Sequence, residues 1–114
     1  MRLNHVALTV SNRETSAEFY GRWFGLTERI HEDDHLLILS NSTGDLLAMS
    51  EGKVPPQPPR TTHFGFQIDR VKDIQALRAA FADAGVTEAE WQEHGPTRIQ
   101  VFDPDGYRVE VYAF

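Results

Sequence analysis

The sequence predicts an α+β fold made of two βαβββ modules. Three observations predict it: short runs that alternate apolar and polar residues, one amphipathic helical run in each half, and a second half that repeats the order of the first.

The elements follow in chain order. "LNHVALTV" (3–10) alternates as a strand, with Leu3, His5, Ala7 and Thr9 on one face and Asn4, Val6, Leu8 and Val10 on the other. "SNRETSAEFYGRWFGL" offers Ser11 or Asn12 as N-cap, Glu14 in the first turn, Phe19, Trp23 and Phe24 at helical spacing, and Gly25 as a stop. "TERIHE", "HLLILSN" and "DLLAMSE" read as three short strands separated by the turn clusters "DD" and "STG". These make a first module over 1–51. "EGKVPPQPPR" has four prolines in ten residues, so it is neither helix interior nor central strand, and 52–60 is a linker. The second module covers 61–114, the two modules together forming one domain. "TTHFGFQI" alternates like the first strand, "VKDIQALRAAFADAG" is a helix ending at Gly85, and "VTEAEWQE", "TRIQVFD" and "YRVEVYA" are strands. In "DPDG", Pro104 sets φ and Gly106 takes a positive φ, so the run is a tight turn. Trp23, Phe24, Leu77 and Phe81 are expected in the core.

The repeat holds residue by residue. With the first strands superposed, His5 falls on His63, Ala7 on Gly65 and Thr9 on Gln67. With the last hairpins aligned on Gly44 and Gly106, Ala48 falls on Glu110.

Composition bounds the function. Hydrophobic residues make up 40% and charged residues 25%, and no apolar run approaches the roughly 20 residues of a spanning helix, so a soluble protein is expected, with no membrane partner. The chain moves straight into an alternating strand pattern, so no secretory signal is expected and the expected compartment is cytoplasmic. Without cysteine, His, Asp and Glu are the strong metal ligands left. A net charge of −6 with scattered Lys and Arg argues against nucleic acid and for a small-molecule partner.

Two histidines at repeat-equivalent places plus Glu110 on the last strand suit a divalent transition metal that keeps coordination positions open: Fe, Mn, Ni, Co or Zn, one ion per site. The alternative for Glu110 is a solvent-facing acid paired with Arg108 or Arg98. Alternation carries Arg108 and Tyr112 on the face of Glu110. His31, His35 and His94 fall at strand ends or turns, where solvation is expected, and of these His94 is the one site candidate.

Through "LNHVALTV", "FYGRWFGL", "HFGFQI" and above all "DPDGYRVEV", the chain resembles the vicinal oxygen chelate superfamily, which includes glyoxalase I, bleomycin-resistance proteins and extradiol dioxygenases. The resemblance spans essentially the whole chain. It implies a glyoxalase-like fold of curved mixed sheets around a cleft, with His5, His63 and Glu110 as metal ligands and Glu110 also in the catalytic role. Where glyoxalase I has a fourth ligand, a glutamate, this sequence has Ala48. It further implies that Arg98, Gln100 and Phe102 join Thr9, Gln67, Arg108 and Tyr112 in a substrate-binding wall. At Glu90, Arg98 and Gln100 the sequence departs from the lysine, serine and tyrosine wall of fosfomycin thiol transferases. The expected function is a divalent-metal-dependent lyase, isomerase or oxygenase acting on a small oxygenated molecule that chelates the metal. The alternatives are a non-catalytic sequestering protein of the bleomycin-resistance type and an accessory subunit. A homodimer with exchanged modules is expected, since the linker reaches roughly 30 Å when extended.

Overall fold

A computed structural model describes residues 1–114, which fall into two units, Met1–Pro56 and Gln57–Phe114. Each is a βαβββ module. The first runs β1 (His5–Val10), α1 (Arg13–Phe24), β2 (Glu28–Glu32), β3 (Leu37–Ser40) and β4 (Leu46–Glu51). The second runs β5 (Phe64–Gln67), α2 (Val71–Asp83), β6 (Glu88–Gln92), β7 (Thr97–Phe102) and β8 (Arg108–Ala113). No helix is long and apolar enough to cross a membrane.

The sheets have the same topology. Strand order is β1-β4-β3-β2 in one and β5-β8-β7-β6 in the other, and the first and last strands of each module lie parallel while the remaining neighbours are antiparallel. In each module the helix crossover sets the second strand parallel to the first, and two hairpin reversals then return the last strand parallel beside the first. Alternation sends one set of side chains under the helix. In the first unit Val10, Leu37, Leu39, Leu47 and Met49 are buried, and in the second Ile99, Val101, Val109, Val111 and Ala113 are.

The helices follow their cap chemistry. Asn12, not Ser11, caps α1: its Oδ1 accepts from the Thr15 amide at 2.9 Å. Gly25 ends α1 at φ 70°, a left-handed conformation that the Leu26 amide closes onto the Tyr20 carbonyl. The expected aromatic core of α1 is corrected in detail. Tyr20 is the fully buried ring, while Phe19, Trp23 and Phe24 are half-buried, because Tyr20 lies central in the inward stripe and the others flank it. Phe19 and Phe24 pack on Tyr20 with ring centroids 5.1 and 5.7 Å away. In α2, Ile74 and Phe81 are buried and Leu77 is half-buried.

One irregularity recurs. The pairing of β2 with β3 shifts between Arg29 and His31, and that of β6 with β7 shifts between Glu88 and Glu90. A bulge of this kind turns residues two apart to opposite faces. Arg29 and Glu88 therefore reach the helix side, where Arg29 pairs with Glu14 of α1 at 2.6 Å and Glu88 pairs with Arg78 of α2 at 2.7 Å. The strand residues of the two ion pairs occupy equivalent places with their signs exchanged, while the helix partners differ, Glu14 lying in the first turn of α1 and Arg78 further along α2.

The entry to β8 is set by Asp103, which is 5% exposed. Its Oδ1 accepts from the amides of Asp105 and Tyr107, both at 2.9 Å, and Gly106 turns the chain at φ 88°. Replacing Asp103 with Ala strands two amides, each worth about 1 kcal/mol or more. Urea unfolding is expected to show Asp103→Ala losing about 2–4 kcal/mol, Asp103→Asn less, and Asn12→Ala about 1 kcal/mol. Equal losses for Asp103→Ala and Asn12→Ala would contradict this role for the turn.

Candidate functional site

The face of the second sheet opposite α2 collects the polar residues. Register places Gly65 and Gln67 of β5 beside Glu110 and Tyr112 of β8, then Gln100 opposite Glu110, Arg98 opposite Tyr112, and Phe102 opposite Arg108. The outermost strand adds Glu90 opposite Gln100 and Gln92 opposite Arg98. His63 sits one residue ahead of β5 as formed. Arg98, Gln100, Phe102, Arg108, Glu110 and Tyr112 thus share one face, as expected.

Gly65 is a steric requirement of this face. A Cβ there would stand 3.0 Å from the Glu110 Cβ and 3.1 Å from its carbonyl oxygen. The bare α-carbon lets β5 close against Glu110, a use of strand glycine that sequence reading recognises.

The Glu110 carboxylate, 12% exposed, is divided between two kinds of neighbour. Its Oε1 accepts from Arg98 Nη1 at 3.1 Å and from Gln100 Nε2 at 3.3 Å. Its Oε2 lies 3.4 Å from His63 Nε2. The other ring nitrogen, His63 Nδ1, is 3.0 Å from the Thr61 carbonyl. A carbonyl accepts only, so Nδ1 carries the hydrogen, and in the neutral ring Nε2 presents a lone pair. Two lone pairs facing each other at this distance call for a proton or a cation between them. One imidazole nitrogen and one carboxylate oxygen are donors a divalent transition metal accepts, and the Thr61 bond is the kind of outer contact that fixes a ligating histidine. The residues fit such an ion.

The ion-pair alternative for Glu110 is also present: Arg98 supplies its counter-charge, and the two side chains are only 21% and 12% exposed rather than solvent-facing. His5, on β1, belongs to the first unit, and no group of three His, Asp or Glu side chains that could hold a metal forms within either unit. Thr9 also lies in the first unit, on the face of His5 and Ala7, beside Ser50 of β4. Ala48 pairs with Ala7 and Ile38, so the counterpart of the Glu110 position is apolar.

Sequence reading missed Arg60 and Gln92, and it named Glu90 only as a departure from the fosfomycin thiol transferase wall. Arg98 Nη2 donates to Glu90 Oε1 at 3.0 Å, Arg60 Nη2 donates to the same oxygen at 2.9 Å, and Arg98 Nε reaches Gln92 Oε1 at 3.2 Å. The hydrogen bond from Arg98, joined by that from Arg60, pulls the Glu90 carboxyl down to about 2, and Glu90 in turn raises the Arg98 guanidinium. Arg98 is therefore clamped as a fixed cation beside Glu110. Strict alternation groups Glu88 with Glu90, and only the bulge separates them. His94 is exposed, and what it gives Gln92 is its backbone carbonyl, at 2.8 Å. His31 pairs with Asp33 at 2.9 Å on the surface. Tyr112 Oη and Gln67 Oε1 are 3.5 Å apart, a long contact. A separate cavity of about 460 Å³ beside α1, lined by Glu14, Glu18, Leu26, Arg29 and Leu39 among others, includes none of the expected site residues.

Comparison with known proteins places the chain in a family. The family model of the Glyoxalase/Bleomycin resistance protein/Dioxygenase superfamily matches residues 2–111. The glutathione transferase FosA of Serratia marcescens is 28% identical over 113 residues, 97% of this chain and 79% of that protein. The manganese-dependent 2,3-dihydroxybiphenyl 1,2-dioxygenase of Geobacillus genomosp. 3 is 26% identical over 116 residues, 97% of this chain but 36% of that longer protein. Among solved structures, a possible glyoxalase from Bacillus cereus matches with a TM-score of 0.83 and 26% identity, over 98% of both chains. With its paired βαβββ modules, the chain belongs to the glyoxalase/bleomycin resistance protein/dioxygenase superfamily.

Proposed function

We propose that this chain is a divalent-metal-dependent enzyme, a lyase, isomerase or oxygenase, acting on a small oxygenated molecule that chelates the metal. The observation that carries the reading is the approach of His63 Nε2 to Glu110 Oε2, 3.4 Å apart, with no other side chain bonded to either atom. Likeness to a manganese-dependent dioxygenase supports a metal in this lineage. His63 and Glu110 would hold the ion, with His5 as third ligand, and Fe, Mn, Ni, Co and Zn all accept this donor set.

When bound, the ion supplies Lewis-acid stabilisation of negative charge developing on a substrate oxygen. The rest of the work falls to the chain. The Thr61 carbonyl holds the His63 ring by Nδ1, keeping Nε2 free. Arg98 and Gln100 hold Glu110 by Oε1, which orients Oε2 and limits rotation of the carboxylate. Glu90, the other carboxylate of this face, is held by Arg98 and Arg60, and we assign the catalytic role to Glu110. Phe102, Gln67 and Tyr112 complete a wall of mixed polarity, the kind that orients a small oxygenated ligand.

Protein purified without an affinity tag is expected to bind about one Mn²⁺, Fe²⁺, Ni²⁺, Co²⁺ or Zn²⁺ per chain by elemental analysis. Glu110→Ala is expected to lose tight binding, and Asp34→Ala, at an exposed turn, to keep it. Absence of saturable binding by the wild-type chain would remove the basis of the reading.

The three proposed ligands come from two units, and we propose further that two chains supply them, in a homodimer with exchanged modules. A His5→Ala chain and a Glu110→Ala chain, unfolded and refolded together, would then make heterodimers with one intact site. Partial return of metal binding on mixing is the expected result, and no return would reject shared sites.

A further inference from the structure

Two polar atoms on the Glu110 face have no partner within the chain. One is Oε1 of Gln100, a residue 1% exposed, and the other is Nη1 of Arg108, which is also buried. The neighbouring Arg98 and the Gln100 nitrogen are engaged. Arg98 serves Glu110, Glu90 and Gln92, and the nitrogen of the Gln100 amide serves Glu110. Buried donors and acceptors are seldom left unmet without a reason, and a ligand is one such reason.

The chemistry of the two atoms defines what would meet them. The Arg108 guanidinium carbon lies over the Phe102 ring, 5.0 Å from its centre, and the unmet nitrogen is its Nη1. A guanidinium fork takes carboxylate or phosphate oxygens in its plane. Glu110, two residues along β8, is paired with Arg98 rather than with Arg108. The charge of Arg98 is offset by Glu90 and Glu110, and the charge of Arg108 is the unspent one. Gln100 Oε1 only accepts and so needs a hydroxyl or amine hydrogen. Because Gln100 lies directly across from Glu110 and Arg108 two residues before it, the two are diagonal neighbours, about 7–8 Å apart along the backbone. One small molecule can touch both.

We propose that this face selects small hydroxy acids, an oxyanion binding the Arg108 guanidinium and a hydroxyl donating to Gln100 Oε1. The proposal rests on the reading of this face as the substrate wall and deepens it, but the two contacts themselves need no metal.

The test uses lactate and its neutral isostere lactamide, titrated into the full-length protein and followed by amide chemical shifts, first with EDTA and then with Mn²⁺ or Zn²⁺ bound. Wild type is expected to bind lactate about tenfold or more tightly than lactamide in both conditions, as a charge-assisted hydrogen bond allows. Arg108→Gln is expected to abolish that preference, Arg108→Lys to retain part of it, and Gln100→Leu to weaken both ligands together. Because Arg108 stacks on Phe102, the fold of each variant is checked by its amide spectrum, and Arg108→Lys carries the test if Arg108→Gln unfolds. Equal binding of lactate and lactamide by wild type, or an undiminished preference in a folded Arg108 variant, would overturn the proposal. A chain that binds metal but lacks the lactate preference refutes this inference alone. A chain that shows the preference and binds no metal refutes the metal reading and leaves this inference standing.

Discussion

The second unit is organised around one half-buried carboxylate. A charge at that depth needs compensation, and Glu110 finds it on one oxygen from Arg98 and Gln100 while its other oxygen faces Nε2 of His63. Much else serves this division. Asp103 sets the turn that starts β8, Gly65 clears the space beside Glu110, and Glu90 with Arg60 fixes the cation that holds it. Loosening any of these supports would free Glu110 to rotate, and the facing geometry with His63 would be lost.

The two units share one scaffold and differ in the polarity of one sheet face. Their sheets share topology, register, bulge and a helix-side ion pair. Yet where the second unit carries Glu110, Gln100 and Arg108, the first carries Ala48, Ile38 and Leu46. An apolar face needs no partners for its side chains, whereas the polar one must satisfy each buried group, and it falls short at Gln100 and Arg108. The first unit leaves one buried polar atom unmet as well, Ser16 Oγ on α1, but none on its sheet face.

The βαβββ order could be read from residues because period-2 alternation, the Asn12 cap and the positive-φ glycines each act locally. Alternation likewise put Arg108 and Tyr112 with Glu110, since β8 is regular from end to end. Glu90 and Gln92 escaped because the bulge after Glu88 breaks that period, sending Glu88 to Arg78 on the helix side and Glu90 to Arg98 on the site side. Tyr20 outranked Trp23 and Phe24 in burial because helical spacing alone does not locate the middle of a stripe. Which oxygen of Glu110 is spent and which is free depends on side chains from three neighbouring segments, and no local pattern encodes it.

The state of the His63 ring tests the central interaction most directly. Long-range ¹H–¹⁵N correlation at about pH 8, where a neutral imidazole is expected, reports which ring nitrogen carries hydrogen. Hydrogen on Nδ1, a bare Nε2, and a large shift of Nε2 alone when Zn²⁺ is added are the predicted result. Hydrogen on Nε2, donated to Glu110 and unmoved by Zn²⁺, would contradict it.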